Sequence, residues 1–90
     1  MATIWKYELE PGLTELRMPE GAQVLTMQIQ NGTPCLWVKV DPGAQQEDRV
    51  FKVYGTGHDI PDYPRLMYVA TAQMGDGALV WHVFETTNAA

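Results

Sequence analysis

The segment Tyr54–Pro61 holds the densest group of side chains capable of chemistry in this chain. Its sequence is Tyr-Gly-Thr-Gly-His-Asp-Ile-Pro, so two glycines, a hydroxyl, an imidazole and a carboxylate follow one another closely. Glycines two positions apart can present successive backbone N–H groups to an anion. Thr56 and His58 could add donors to a phosphate or a carboxylate. The segment is therefore a candidate ligand loop.

A tight turn is the alternative interpretation of the same segment. A phosphate-binding glycine loop normally opens a helix, whose dipole adds to the site. Here Pro61 and Pro64 follow, and no helical pattern is evident. Walker-type and Rossmann nucleotide loops are excluded on this ground. Because glycine tolerates positive φ, Gly55 and Gly57 could equally have a structural role, and the sequence leaves both interpretations open.

The two histidines do not form a recognisable catalytic set. His58 and Asp59 are adjacent in an extended loop, so their side chains point apart. His82 lies in a strand pattern on the face of Val80 and Phe84, which is typical of a core or interface histidine. Nucleophilic catalysis needs a nucleophile, a base and an orienting group within reach of one another. We therefore predict no catalytic residues and expect a protein that is not an enzyme.

No metal site or cofactor is expected. A metal site would need His58, His82 and a third ligand such as Asp59 or Cys35 to converge, and their spacing matches no closed zinc pattern. Cys35 is the single cysteine, so an intramolecular disulfide is impossible. Its apolar neighbours predict a small buried thiol.

Trp37 and Lys39 form a second candidate contact surface. Trp37 shares a strand face with Lys39 and Asp41, opposite an apolar face that begins at Leu36. An exposed tryptophan beside charges is typical of an interface. The alternative is a small apolar cluster beneath the loop at residues 45–48. The predicted ligand- or partner-binding residues are Trp37, Lys39, Tyr54, Gly55, Thr56, Gly57, His58 and Asp59.

Seven short segments are predicted to be β-strands, the first four from alternating apolar and polar residues and residues 49–54 from their β-branched and aromatic side chains. They are residues 3–9, 13–18, 22–30, 35–41, 49–54, 66–74 and 78–85. Asn31-Gly32 predicts a hairpin turn, and Trp5 and Trp81 are predicted in the core because they alternate with apolar neighbours. The fold class is therefore all-β, a single compact antiparallel sandwich or small barrel of about seven short strands. The domain spans residues 1–85, and residues 86–90 are expected to be a disordered tail.

Composition excludes several functional classes. The chain has 90 residues, a net charge of −5, 11 acidic residues and 6 basic ones that are scattered. Nucleic-acid binding usually needs a basic stripe, so no nucleic-acid partner is expected. No apolar stretch approaches the roughly 20 residues of a membrane span, and no signal peptide is evident at the start. We expect no membrane partner and a cytoplasmic location.

The chain resembles a small family encoded by tailed phages and prophages, whose function is unknown. The resemblance extends from Ile4 to Glu85. It is carried by Asn31–Trp37, Val40–Pro42, Tyr54–Pro61 (Gly-Thr-Gly-His-x-Ile-Pro) and Val80–Glu85 (ending His-Val-Phe-Glu). The resemblance implies a phage or prophage origin, a bacterial host cell and a compact β fold, but no activity and no catalytic residues. Phage genes of this size often encode accessory proteins that block host factors, including defence systems.

Three functional hypotheses follow, in order of preference. The first is a non-enzymatic accessory protein that binds a host protein or another copy of itself, most simply as a homo-oligomer. The second is an oligomeric small-molecule sponge that holds a nucleotide-type ligand through the Gly55–His58 loop and aromatic rings. The third is a small hydrolase that uses His58.

Overall fold

The protein folds as two antiparallel β-sheets packed into a sandwich in the computed structural model, which describes residues 1–61 and 65–86. The strands are β1 (Thr3–Glu8), β2 (Gly12–Pro19), β3 (Gln23–Gln30), β4 (Thr33–Val40), β5 (Gln46–Gly55), β6 (Leu66–Met74) and β7 (Leu79–Thr86). One sheet has the order β1-β4-β3 and the other β2-β5-β7-β6. In these described ranges neither sheet closes into a barrel. The all-β prediction is confirmed, and the sandwich is the correct one of its two forms.

The core lies between the sheets and is built by strict alternation. In β4 the side chains of Leu36, Val38 and Val40 are buried against the four-stranded sheet. Phe51 and Val83 meet them from β5 and β7. Fully burying side chains of this size contributes about 1.5–3 kcal/mol each. The predicted apolar face of β4 is thus the core face.

The chain crosses between the sheets three times before the last strands. β1 belongs to the three-stranded sheet, β2 to the four-stranded sheet, β3 and β4 to the first again, and β5 to the second. Backbone hydrogen bonds fix the corners. Leu9 N–H donates to Pro34 O at 2.9 Å, and Glu20 N–H donates to Gln45 O at 2.7 Å. These bonds satisfy backbone groups that leave the ladders at each crossing.

Two hairpins turn through residues with positive φ, and the predicted turn at Asn31-Gly32 is one of them. Asn31 and Gly32 have φ values of 52° and 78°, the pattern of a type I′ turn. Asp76 and Gly77 have φ values of 57° and 89°, and Ala78 N–H donates to the carbonyl three residues earlier at 3.0 Å. The register of β3–β4 and of β6–β7 is set by these turns.

The tryptophan and cysteine predictions have mixed outcomes. Trp81 is partly buried and packs against the core, as predicted. Trp5 was predicted in the core, and this is wrong: its side chain is 38% exposed because β1 is an edge strand. Cys35 is buried, as predicted, with its Sγ 3.4 Å from Thr33 O.

Two local predictions fail because strand pairing overrides local sequence. The polar residues 46–48, predicted as loop, belong to β5, where Asp48 pairs with Arg17 of β2. The alternation of residues 22–30 predicts that Leu25 and Met27 share one face, but Leu25 is exposed because a bulge lies between Val24 and Thr26. An extra residue in a bulge shifts the alternation, so Val24 and Met27 face the core instead.

The last strand extends one residue beyond its predicted end at Glu85. β7 continues to Thr86, which pairs with Leu66 of β6. The rest of the predicted tail, residues 87–90, lies outside the described residues, as does Pro64. Among the residues that are described, no helix is long and apolar enough to cross a membrane.

Candidate functional site

The Gly55–His58 segment forms a tight turn at the end of β5. His58 N–H donates to Gly55 O at 3.1 Å, and Gly57 has a φ of 90°, so the four residues make a type II turn. The imidazole then folds back over the turn, where His58 Nδ1 accepts a hydrogen bond from Gly55 N–H at 3.0 Å. Gly55 and His58 thereby bind each other through both backbone and side chain.

Gly55 is required by the position of the His58 ring. A Cβ added at residue 55 would lie 2.9 Å from His58 Cε1, closer than real Cβ contacts come. Thr56 N–H donates to Val80 O at 3.2 Å, which fixes the turn to β7. Three backbone N–H groups of this segment are therefore already hydrogen-bonded inside the protein. In this conformation they are not available to a bound anion.

The side chains of the turn lead onto the outer face of the four-stranded sheet. Thr56 Oγ1 is hydrogen-bonded to His82 Nε2 at 2.7 Å, and His82 Nδ1 to Thr71 Oγ1 at 3.1 Å. Thr71 is in turn hydrogen-bonded to Tyr68 Oη at 2.8 Å. Four side chains from the turn, β6 and β7 thus form one continuous polar chain. His82 has both ring nitrogens occupied by hydroxyls.

An aromatic cluster lies next to this polar chain on the same face. Phe84 contacts Tyr54 and Tyr68 in edge-to-face geometry, with ring centroids 6.0 and 5.8 Å apart. Such pairs contribute about 0.5–1.5 kcal/mol beyond their buried area, so the rings hold one another in place. We call the combined surface the aromatic–histidine face. It consists of Tyr54, Thr56, Tyr68, Thr71, His82 and Phe84.

The register explains how these residues meet. β7 is an interior strand, paired with β5 on one side and β6 on the other. His82 lies opposite Tyr54 of β5 and Thr71 of β6, while Phe84 lies opposite Tyr68. Side chains directly opposite one another on a sheet face are in contact range. The outward residues of three strands therefore converge on β7.

Two clefts border the turn and the end of the sandwich. The smaller, about 310 Å³, lies between the Gly55–His58 turn and residues 77–81. The larger, about 550 Å³, lies beside the β1–β2 corner and the turn at Gly32, with Glu8 and Glu10 on its rim. Trp81 lines both, and its Nε1 is buried without a hydrogen-bond partner.

A bidentate ion pair with a structural role lies away from this face. Arg49 donates to both carboxylate oxygens of Glu85, at 2.6 and 2.8 Å, and to Ala22 O at 2.6 Å. Hydrogen bonding to the Glu85 carboxylate raises the pKa of the Arg49 guanidinium above its usual range. The pair joins β5, β7 and the β2–β3 corner. Within residues 1–61 and 65–86, no three His, Cys, Asp or Glu side chains are placed to hold a metal ion.

The family model for Domain of unknown function (DUF7352) matches residues 1–90. The chain belongs to this family. No curated protein and no solved structure matches it. The expected resemblance to a family of unknown function is confirmed to that extent, and membership of DUF7352 assigns no activity.

The DUF7352 chain does not bring all of the predicted binding residues together. Tyr54, Gly55, Thr56, Gly57 and His58 are contiguous at the end of β5, and Tyr54 and Thr56 belong to the aromatic–histidine face. Asp59 follows the turn and is exposed.

Trp37 and Lys39 lie in β4, on the outer face of the three-stranded sheet, with Trp37 half-buried and Lys39 exposed. The candidate residues are thus divided between the two outer faces of the sandwich.

Tyr68, Thr71 and Phe84 are absent from the binding residues predicted by the sequence, and His82 is predicted only as a core or interface histidine. The outward alternation of β7 does place His82 and Phe84 on one face, so part of the signal is in the sequence. The pairing of β7 with both β5 and β6 cannot be read from the sequence, because no local pattern specifies which strands become neighbours. A bulge between Tyr68 and Ala70 further obscures the alternation of β6.

Proposed function

We propose that this chain is a phage-encoded, non-enzymatic accessory protein that binds a host protein through the aromatic–histidine face. The observation that carries the proposal is the contact of three aromatic rings, Tyr54, Phe84 and Tyr68, on the open face of a rigid sheet. Tyrosine and other aromatic residues are enriched in the central part of protein interfaces.

The surroundings of the rings also suit a protein partner. On the same face Leu13 of β2 lies in one cross-strand row with Lys52, Phe84 and Tyr68. Leu13 is 56% and Tyr68 59% exposed, so exposed apolar surface lies at both ends of this row, with Lys52 between Leu13 and Phe84. The hydroxyls and imidazole beside the rings provide donors and acceptors for a polar rim. This combination of apolar centre and polar rim is the usual anatomy of an interface.

The phage origin and the bacterial cytoplasm as location are part of the same proposal. They are supported by the resemblance of the Gly-Thr-Gly-His-x-Ile-Pro and His-Val-Phe-Glu segments to phage and prophage proteins. A small phage domain with a binding face and no recognised catalytic set is suited to block a host factor, such as a defence protein, by occupying its surface.

The experiment that tests the proposal compares partner capture by surface variants. Tagged wild-type protein is expressed in bacteria carrying phage-defence systems, and a protein that co-purifies is identified, purified and titrated. Tyr68→Ala is expected to weaken its binding at least tenfold, because exposed aromatics at interface centres are typical hot spots. The matched control is Leu25→Ala, an exposed apolar residue of the three-stranded sheet, which should leave binding unchanged.

The same titration separates the two candidate faces. Trp37→Ala changes the outer face of the three-stranded sheet and should not affect the partner. If Trp37→Ala abolishes binding while Tyr68→Ala retains it, the aromatic–histidine face is not the binding surface. Circular dichroism of each variant checks that the fold is intact.

The second candidate, an oligomeric sponge for a nucleotide-type ligand, has one observation in its favour. The cleft of about 310 Å³ lies against Gly55, Thr56 and His58, with Trp81 in its wall. Calorimetry with nucleotides and cyclic nucleotides tests it, and binding should be lost in His58→Ala. Absence of heat with all of these ligands would eliminate it.

The hydrolase alternative has the least support from the geometry. The Nδ1 atom of His58 is engaged by the backbone of its own turn. The nearby hydroxyl of Thr56 bonds His82 rather than His58.

A further inference from the structure

The four edge strands of this sandwich are not equally protected against pairing with a strand of another chain. β3 and β6 each carry a bulge, and the two edges lie close to each other. β2 ends in Pro19, and Arg17 on its outer face already forms an ion pair with Asp48 of β5. Bulges and prolines are devices that prevent an edge from pairing with another strand.

β1 is the exception among these described edges. It runs from Thr3 to Glu8 without a proline, and its register with β4 is unbroken. Ile4 and Trp5 are both exposed on it, one on each face of the sheet. The chain remains alongside β4 beyond Glu8, because Leu9 N–H donates to Pro34 O. The edge is therefore regular, partly apolar and at least as long as β1.

We propose that β1 pairs antiparallel with β1 of a second copy of this chain, joining the two three-stranded sheets into one six-stranded sheet. Its charge pattern identifies the occupant. An antiparallel pair of identical strands is symmetrical about one residue. When that residue is Tyr7, Lys6 of each copy lies directly opposite Glu8 of the other. Opposite charges at directly opposed positions stabilise a strand pair.

The competing registers are less favourable. Symmetry about Lys6 would place two lysines opposite each other, which is destabilising. Symmetry about Trp5 would place Lys6 opposite the apolar Ile4. The Tyr7 register also places the exposed Trp5 opposite Leu9 of the second copy. In each of these registers the core faces of the two sheets remain on the same side, because opposed residues share a face.

Forming the dimer requires one exposed hydrogen bond to be exchanged. Lys6 Nζ donates to Gln30 Oε1 at 2.7 Å on the outer face of the single chain. In the dimer the ammonium exchanges this neutral amide for a carboxylate, which accepts a stronger, charge-assisted bond. The pairing adds ladder hydrogen bonds along an edge that otherwise bonds to water.

The test uses charge reversal and size-exclusion chromatography with light scattering. Wild-type protein should be a dimer. Lys6→Glu and Glu8→Lys should each be monomeric, with the dimer Kd raised about tenfold or more, because each places like charges opposite one another twice. Mixing the two variants should restore a dimer that contains one copy of each, since every opposed pair then has opposite charges.

Two results would overturn the inference. One is a monomeric wild-type protein at the highest soluble concentration. The other is a dimer that Lys6→Glu and Glu8→Lys leave intact. Glu15→Lys is the control, because it makes the same charge change on β2 and should leave the dimer unaffected. Circular dichroism distinguishes loss of pairing from loss of fold, and the variants do not touch the aromatic–histidine face, so partner binding is measured separately.

Discussion

The two histidines of this chain have opposite relations to the backbone. His58 accepts a hydrogen bond from Gly55 N–H and closes its own turn, whereas His82 bonds only to side-chain hydroxyls on the sheet face. A residue whose ring is committed to the backbone contributes chiefly to local structure. A residue held by rotatable hydroxyls can exchange those partners for groups of a ligand. At the scale of single residues, His82 is therefore the more informative position for function.

The coupling of Gly55 and His58 gives a prediction for the turn. Gly55→Ala should reduce the free energy of unfolding by about 1–2 kcal/mol, because the new Cβ displaces the ring and its hydrogen bond. His58→Ala should cost about 1 kcal/mol, the usual value of one hydrogen bond. When both substitutions are combined, the second should lower the free energy of unfolding only slightly further. Urea unfolding of the four proteins measures this coupling, and strictly additive costs would contradict it.

Tyr7 predicts a change in stability with pH. Its hydroxyl is buried without a partner, and loss of hydration raises the pKa of the Tyr7 phenol despite the nearby positive charge of Arg49. The folded state therefore favours the neutral phenol. This contribution is complete below the ordinary tyrosine pKa and is lost as pH rises through the higher folded value.

Tyr7→Phe should consequently be as stable as the wild type at neutral pH or more stable, by about 1 kcal/mol, since no buried hydroxyl is left unpaired. In alkaline solution its stability should fall less steeply. Urea titrations at neutral pH and above pH ~10 measure both effects. Tyr68→Phe, which removes an exposed hydroxyl, is the control, and an equal alkaline benefit from it would argue against the role of burial.

At the scale of strands, Arg49 and Glu85 hold elements that the backbone ladders join only in part. The bidentate contact links β5 to β7, and the third bond of Arg49 reaches the carbonyl of Ala22 in the β2–β3 corner. Both side chains are largely buried, with 18% and 14% of their surface exposed. Removing one partner would leave a charge with little access to water.

Glu85→Gln is therefore expected to lower the free energy of unfolding by about 2–3 kcal/mol, somewhat less than for a fully buried pair. The control is Asp48→Asn, which disrupts the Arg17–Asp48 pair. That pair is 67% and 56% exposed, so its loss should cost well under about 1 kcal/mol. Chemical unfolding gives both values. Similar costs for the two variants would show that burial does not determine the strength of these pairs.

The strands themselves could be predicted from sequence because alternation and turn residues are local signals. Asn31-Gly32 and Asp76-Gly77 fix two hairpins in this way. The predictions that failed concern features set by contacts between segments that are distant in the sequence. Residues 46–48 are strand only because β2 pairs with them, and Leu25 is exposed only because a bulge interrupts its strand.

The candidate site shows the same division between local and distant signals. The turn at Gly55–His58 was recognised from its residue types. The convergence of Tyr68, Thr71 and Phe84 on His82 required the strand order, which no local pattern contains.

At the scale of the whole molecule, both sheets share a single core. Leu36 and Val38 of one sheet pack with Phe51 and Val83 of the other, so neither sheet has an apolar core of its own. The two outer faces can nevertheless change independently, because the core separates them. This arrangement lets the aromatic–histidine face and the β1 edge serve different contacts.

A shared core predicts that the sheets unfold together. Trp37 reports on the three-stranded sheet and Trp81 on the four-stranded sheet. Two variants that each retain one of these tryptophans, with the others changed to Phe, should show fluorescence transitions whose midpoints coincide with the circular dichroism transition of the same variant. A fluorescence midpoint clearly different from that of the dichroism signal would show that one sheet unfolds first.

The buried thiol of Cys35 provides a way to measure how often the structure around it opens. Because Cys35 is the single cysteine and its side chain is buried, a thiol reagent can reach it only when the groups that cover it move apart. The labelling rate then measures how often this region of the three-stranded sheet opens. If β1 is covered by a second copy, labelling should slow as protein concentration rises, so the native thiol reports assembly without an introduced cysteine.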